Sequence, residues 1–193
     1  MTTDGTLRRK ESVENIDNYL TRARTLDRGE FVMAYRHLFL LKHPKPRQIS
    51  GESWMRDLDG ATVTRELQFD PVPDRMQLVV VKKSAGNENP WEFSIGRAVT
   101  CDVVLRFPFI SKLHAHLAVG ASGKISLMDR SSTGRTSRNG RPLHTKSAEE
   151  IQIGDTLSLG ALDLELCDAE RLHRLLANPQ TVKRVDPYPL CRR

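Results

Sequence analysis

The chain has 193 residues, 38% hydrophobic and 28% charged, with a net charge of +6 and a pI near 9.5. That length holds one ordinary domain with an extension, or two small domains, and the positive balance favours anionic partners such as nucleic acid, acidic peptides, phosphate or a membrane surface. Three cysteines (Cys101, Cys167 and Cys191) with no CxxC pair suggest neither a disulfide framework nor a zinc site, and the longest apolar cluster, "LFLL" at 38–41, is far too short to span a bilayer.

The N-terminal stretch "MTTDGTLRRKESVEN" has no apolar run after its basic residues, so it does not read as a secretory signal. A soluble protein of a reducing, cytoplasmic compartment is expected. Ile16, Tyr19, Leu20 and Ala23 follow the i, i+3, i+4, i+7 spacing of one buried helical stripe. Asp27 lies three residues before Glu30, the spacing of a capping box. A second stripe follows at Phe31, Ala34, Tyr35 and Leu38, and the prolines of "KHPKPR" stop it. Residues 1–47 therefore predict a helical hairpin extension with its linker. Its apolar faces need a partner: each other, the next domain or another protein. Residues 48–75 predict a connecting segment with room for a first strand in "DLDGATVTRELQF".

From Met76 to Asp168 the pattern changes. "MQLVVVKKS", "WEFSIGR", "DVVLRF", "HAHLAVG", "KISLMDR", "EEIQIGDTLSLG" and "LDLELCDA" are short, β-branched or aromatic runs separated by Gly, Pro, Asn, Asp and Ser. Strands at such spacing, with no helix-length pattern between them, predict a β-sandwich. A short helix over 169–178 follows the cap Asp168, with Leu172, Leu175 and Leu176 on one face and "NP" as its stop. The basic, proline-punctuated residues 179–193 predict a disordered tail. The fold class is mainly β: a sandwich with an N-terminal helical hairpin and a short C-terminal helix.

Function on a sandwich usually resides in the loops at one end. Three inter-strand stretches carry suggestive polar groups: Gly96-Arg97, "SKLH" at 111–114, and "DRSSTGRTSRNG" at 129–140. The last packs five hydroxyl side chains and three arginines into twelve positions. Arg97 offers a planar fork, Ser111 and Thr133 offer hydroxyls, Lys112 and Arg135 add charge, and Gly134 leaves backbone N–H groups uncovered. A phosphate dianion asks for such a set, because a guanidinium meets two of its oxygens while hydroxyls and amides satisfy the others. No carboxylate base stands beside a nucleophile, so binding is implied and catalysis is not. His114 and His116 share a strand face, but no third ligand is evident, so His114 reads as structural and no metal or cofactor is expected. Gly154-Asp155 reads as a turn.

The order Gly-Arg, Ser-x-x-His, Asp-x-x-Ser-Thr, Asn-Gly and then "IQIGDTLSLG" resembles a forkhead-associated (FHA) domain over about Gln77 to Cys167. The resemblance implies an eleven-stranded FHA-like β-sandwich that binds phosphothreonine peptides through loops at one end. It further implies that Arg97, Ser111 and Thr133 contact phosphate, with Lys112 at an adjacent polar or basic position. Gly96, His114, Asn139 and Gly140 match positions that hold the loops. Phe109 matches a position that often reads the peptide residue three beyond the phosphothreonine. The family usually reads Ser-Thr-Asn-Gly-Thr where this chain has Ser132-Thr133-Gly134-Arg135-Thr136. Gly134 thus replaces the Asn that holds the peptide main chain, and Arg135 is the candidate substitute contact.

The leading expectation is a non-enzymatic phosphothreonine-peptide-binding adaptor in Ser/Thr kinase signalling, whose partner is a kinase or its substrate. The alternative is a phospho-independent scaffold acting through the sandwich or the N-terminal helices. Nucleic acid ranks last, because basic residues alternate with acids and no stacking aromatics interleave with them. No membrane role is expected.

Overall fold

The computed structural model describes residues 13–14, 16–43, 76–84, 89–130 and 132–178. The expectations for 48–75, for the tail and for Cys191 fall outside the described residues. The first elements are strand β1 (Val13–Glu14) and helices α1 (Ile16–Thr25) and α2 (Arg28–Ala34). The remaining strands are β2 (Leu38–Lys42), β3 (Gln77–Val81), β4 (Glu92–Gly96), β5 (Val103–Val104), β6 (Ala115–Val119), β7 (Ile125–Asp129), β8 (Thr136–Arg138), β9 (Arg141–Pro142), β10 (Ala148–Ile151), β11 (Thr156–Leu159) and β12 (Leu162–Cys167), and helix α3 (Ala169–Ala177) follows them. Among the described residues the strands number twelve, in an antiparallel sheet of order β1-β3-β2-β12-β11-β8-β9 and a second of order β10-β7-β6-β4-β5. The FHA resemblance implied eleven.

The helical signals act as the sequence predicts. Ile16, Tyr19, Leu20 and Ala23 are all buried along α1. At α2 the Glu30 N–H donates to Asp27 at 2.8 Å, and the Asp27 N–H donates to Glu30 at 3.0 Å, which closes the capping box. Asp168 caps α3 by accepting the Arg171 N–H at 2.7 Å.

One element differs from expectation. The second stripe was extended to Leu38, yet α2 ends at Ala34 and Leu38–Lys42 is a strand. β2 lies between β3 and β12 in the middle of the larger sheet. Residues of the expected hairpin extension thus belong to the sandwich. The physical reason is burial on both faces, which replaces alternation with a continuous apolar run. Leu40 points into the core shared by the two sheets, while Phe39 and Leu41 join a second core under the helices. β3 splits the same way, with Val79 and Val81 toward one core and Leu78 and Val80 toward the other.

The molecule is consequently three layers deep: sheet, sheet and helices. The hairpin's apolar faces find their partner within the chain, on β2, β3 and α3. Polar ties support that packing. Tyr19 donates to Glu14 at 2.6 Å and Lys82 reaches the same carboxylate at 3.0 Å. Glu165 joins His43 to Arg171, the latter at 2.7 Å. Burial pushes the Glu165 carboxyl up, but the bonds from His43 and Arg171 hold it below the ordinary range. Burial pushes the Cys167 thiol up, which leaves it inert.

Phe31 is completely buried where α2 meets His173 of α3 and the sheet. Phe31→Ala is expected to cost about 3–5 kcal/mol, seen as a lower urea midpoint at unchanged slope. A loss below about 1 kcal/mol would mean that the helical layer is loosely attached.

Candidate functional site

The ends of β4, β5 and β7 and the start of β6 lie at one end of the smaller sheet, as their pairings require. Gly96 permits the first close approach. A Cβ on it would lie 2.2 Å from the Lys112 carbonyl oxygen. With that space free, the Arg97 N–H donates to the Ser111 carbonyl at 3.0 Å and the Ala98 N–H to the Lys112 carbonyl at 3.1 Å. Arg97 is thereby fixed beside Ser111 and Lys112.

His114 makes the second tie. It is fully buried; its Nδ1 accepts the Ser111 N–H at 3.2 Å, and its Nε2 lies 3.3 Å from the Arg135 carbonyl. The ring is therefore neutral, with its proton on Nε2. Burial holds its pKa below the ordinary 6.5, against the opposing pull of the Arg135 carbonyl and Asp129. The Arg135 carbonyl also accepts the Gly160 N–H at 3.0 Å, and the Thr133 N–H reaches Ser111 Oγ at 3.2 Å.

These ties bring the predicted residues together. Arg97, Phe109, Ser111, Lys112, Thr133 and Gly134 line one open pocket of about 620 Å³, to which Pro108, Ile110 and Leu113 also contribute. No carboxylate lines it. Arg135 is exposed at its margin and is not in the lining. Its backbone sits at φ 56°, a left-handed conformation held in place by the two bonds to its carbonyl. Asn139 and Gly140 are elsewhere. They form the two-residue turn between β8 and β9, both at positive φ, at the far end of β8 from the pocket. Asn139 ties that turn to Asp155 at 2.7 Å and to the Thr156 N–H at 2.8 Å. The stretch 129–140 therefore walls the pocket only in its first half.

Gly134 has a packing reason. A Cβ there would lie 2.9 Å from the Phe109 carbonyl oxygen and 3.2 Å from Gly160 Cα. Phe109 itself stacks on Phe107 at 5.3 Å, partly buried against the core.

Two supports were not anticipated. Asp129 accepts the Ser132 N–H and hydroxyl, each at 2.8 Å, and so holds the loop that presents Thr133. Burial pushes its carboxyl up, yet these bonds keep it below the ordinary range. The Asp-x-x-Ser spacing was the available signal. Asp102, 2% exposed, accepts the N–H groups of Ser84 at 2.7 Å and Ser94 at 2.9 Å; those partners are too scattered in sequence to announce themselves. A larger apolar groove of about 780 Å³, bordered by Tyr35, Leu38, Trp91 and Phe93, contains none of the predicted residues. Among the described residues no three metal-ligating side chains converge, and no helix is long and apolar enough to cross a membrane.

Residues 93–160, about a third of the chain, match the FHA domain family. No curated protein matches the chain. Several solved structures are similar. The N-terminal FHA domain of S. cerevisiae Rad53p, in complex with a phosphothreonine peptide, is 24% identical, with 43% of this chain and 72% of that one aligned at a TM-score of 0.38. The FHA domain of CT664 from Chlamydia trachomatis is 17% identical over 68% of this chain and 97% of that one, at a TM-score of 0.41. Mycobacterium tuberculosis EmbR, in complex with a low-affinity phosphopeptide, is 19% identical over 41% of this chain and 20% of that one, at 0.38.

Two outcomes follow from this packing. Gly134→Ala is expected to destabilise the fold by about 1–3 kcal/mol, because backbone on both sides must shift; a neutral result in thermal unfolding would show that the loop yields freely. His114 also makes stability depend on pH. Its folded-state pKa is depressed, so on acidification the unfolded chain takes up a proton that the folded one refuses. Stability should fall as pH drops through 6.5 toward the lower folded value. The lowered Asp129 and Glu165 extend the loss further into acid. Urea midpoints that stay constant between about pH 7 and 5.5 would contradict this.

Proposed function

We propose that the pocket binds phosphothreonine peptides, and that the protein is a non-catalytic adaptor linking a Ser/Thr kinase to a partner, the partner being the kinase or its substrate. One observation carries the reading: Arg97, Ser111, Lys112 and Thr133, drawn from three loops, line a single pocket without a carboxylate. In it a guanidinium, an ammonium and two hydroxyls surround a space open to solvent, which suits a dianion with lone pairs on every oxygen. The match of residues 93–160 to the FHA family supports the same reading. Buried Cys101 and Cys167, neither in a disulfide, suit a reducing, cytoplasmic setting.

The alternative scaffold reading drew on Gly134 in place of the family's Asn and on unpartnered helices. Those helices spend their apolar faces on β2, β3 and α3, so that motive is weakened.

Calorimetric titration of the full chain with a phosphothreonine peptide library, beside its unphosphorylated twin, tests the proposal. Only the phosphorylated set should bind, and Arg97→Ala should cost about 2–5 kcal/mol by leaving a phosphate charge unpaired. Equal binding of both sets, or no effect of Arg97→Ala, would falsify it.

A further inference from the structure

We infer that the partner segment is itself acidic, with carboxylates or further phosphates flanking the phosphothreonine; this rests on the phosphothreonine reading above. Four loops meet at the pocket's end, carrying residues 97–102, residues 105–114, Arg130 with residues 132–135, and residues 143–147. Their convergence is fixed by backbone bonds. The Leu105 N–H donates to the Gly96 carbonyl at 2.8 Å, the Arg130 N–H to the His114 carbonyl at 3.0 Å, and the Lys146 N–H to the Asp129 carbonyl at 2.8 Å.

These loops carry Arg97, Arg106, Lys112, Arg130, Arg135 and Lys146, all exposed. None of the six has an ion-pair partner among the described residues. The acid in the same loops, Asp102, is buried and committed to Ser84 and Ser94. Every exposed formal charge in the four loops is therefore positive. Elsewhere several cations are matched, Arg28 and Arg174 with Glu170, Lys82 with Glu14, Lys124 with Glu150, Arg138 with Asp155 and Arg171 with Glu165, although Arg22, Arg24, Arg36 and Arg141 have no ion pair among the described residues either.

A phosphothreonine brings about two negative charges, which Arg97 and Lys112 suffice to meet inside the pocket. Arg106, Arg130, Arg135 and Lys146 remain as a rim of like charges that repel one another until further anions neutralise them. An extended acidic segment running from the pocket over that rim does so, and it gains in encounter rate and partner choice. Nucleic acid fits less well, because the aromatic rings at this end, Phe107 and Phe109, stack on each other and pack on the core and do not form an open platform for bases.

The test uses the full chain and three labelled peptides in fluorescence anisotropy. Two share a phosphothreonine centre, one with Asp/Glu flanks and one with Ala/Ser flanks; the third has the acidic flanks and an unphosphorylated threonine. At about 0.1 M salt the acid-flanked phosphopeptide should bind roughly tenfold more tightly than the neutral-flanked one, and the advantage should shrink at about 0.5 M. Combined Arg106→Ala, Arg130→Ala and Lys146→Ala should bring the ratio toward one; should that variant fail to fold, the salt series on the natural chain decides. Equal affinity for the two phosphopeptides overturns the inference and leaves the phosphothreonine reading standing. Binding of neither, or equal binding of the unphosphorylated acidic peptide, removes that reading as well. A mixed-sequence single-stranded oligonucleotide that competes as strongly as the acidic phosphopeptide would overturn the inference in favour of nucleic acid.

Discussion

The pocket depends on one uncharged, buried imidazole. His114 accepts from the Ser111 N–H on one side and meets the Arg135 carbonyl on the other. Its own backbone N–H donates to the Ile95 carbonyl at 2.8 Å, and its carbonyl receives the Arg130 N–H. A single residue thus joins β4, the loop bearing Ser111 and Lys112, and the loop bearing Thr133 and Arg135. Polar groups of this kind carry a high cost in a low-dielectric interior when unpaired and give rigidity when paired. Protonation would turn Nδ1 from acceptor to donor and set it against the Ser111 N–H. Neutrality of the ring and geometry of the pocket are the same requirement.

Rigidity at the loops also relies on the layers behind them. β2 and β3 are buried on both faces, so the central strands of the larger sheet cannot move without disturbing two cores. The helices α1, α2 and α3 cover the sheet's outer face and leave the loop end open. This division sets a stiff, doubly buried frame behind the loops that line the pocket, in keeping with the usual placement of binding groups on loops held by such a frame.

Much of this was legible in the residues. The α1 stripe, the Asp27–Glu30 box, the Asp168 cap and the Asn139-Gly140 turn are local signals, and each acts within four residues of itself. "LFLL" was misread because burial on both faces erases the alternation that distinguishes a strand, and because Phe31, Ala34 and Tyr35 led into it at helical spacing. The gathering of Arg97, Ser111 and Thr133 around one pocket was legible through the order of their landmarks rather than through any one of them. The cationic rim was not. Arg106, Arg130 and Lys146 are unremarkable loop residues in sequence, and their assembly depends on the paths of three separate connections. Asn139 was recognised as a loop-holding residue, but which end of β8 it served required the strand pairing.

The departure from the family pattern at 134–135 is best understood as an exchange of neighbouring roles. Where the family usually has Asn then Gly, this chain has Gly then Arg. Gly134 occupies a position where a Cβ would collide with the Phe109 carbonyl, so the polar side chain is absent where the peptide main chain would be held. Arg135 takes the left-handed position that a glycine would occupy without strain, and two bonds to its carbonyl hold it there. The side chain has moved one residue along the chain and changed from a neutral amide to a permanent cation. A neutral amide recognises backbone, which every peptide has; a guanidinium selects for charge, which only some have. On the proposed reading, the substitution would exchange a contact indifferent to sequence for one that discriminates, and the exposed cations around it would extend that discrimination over the rim.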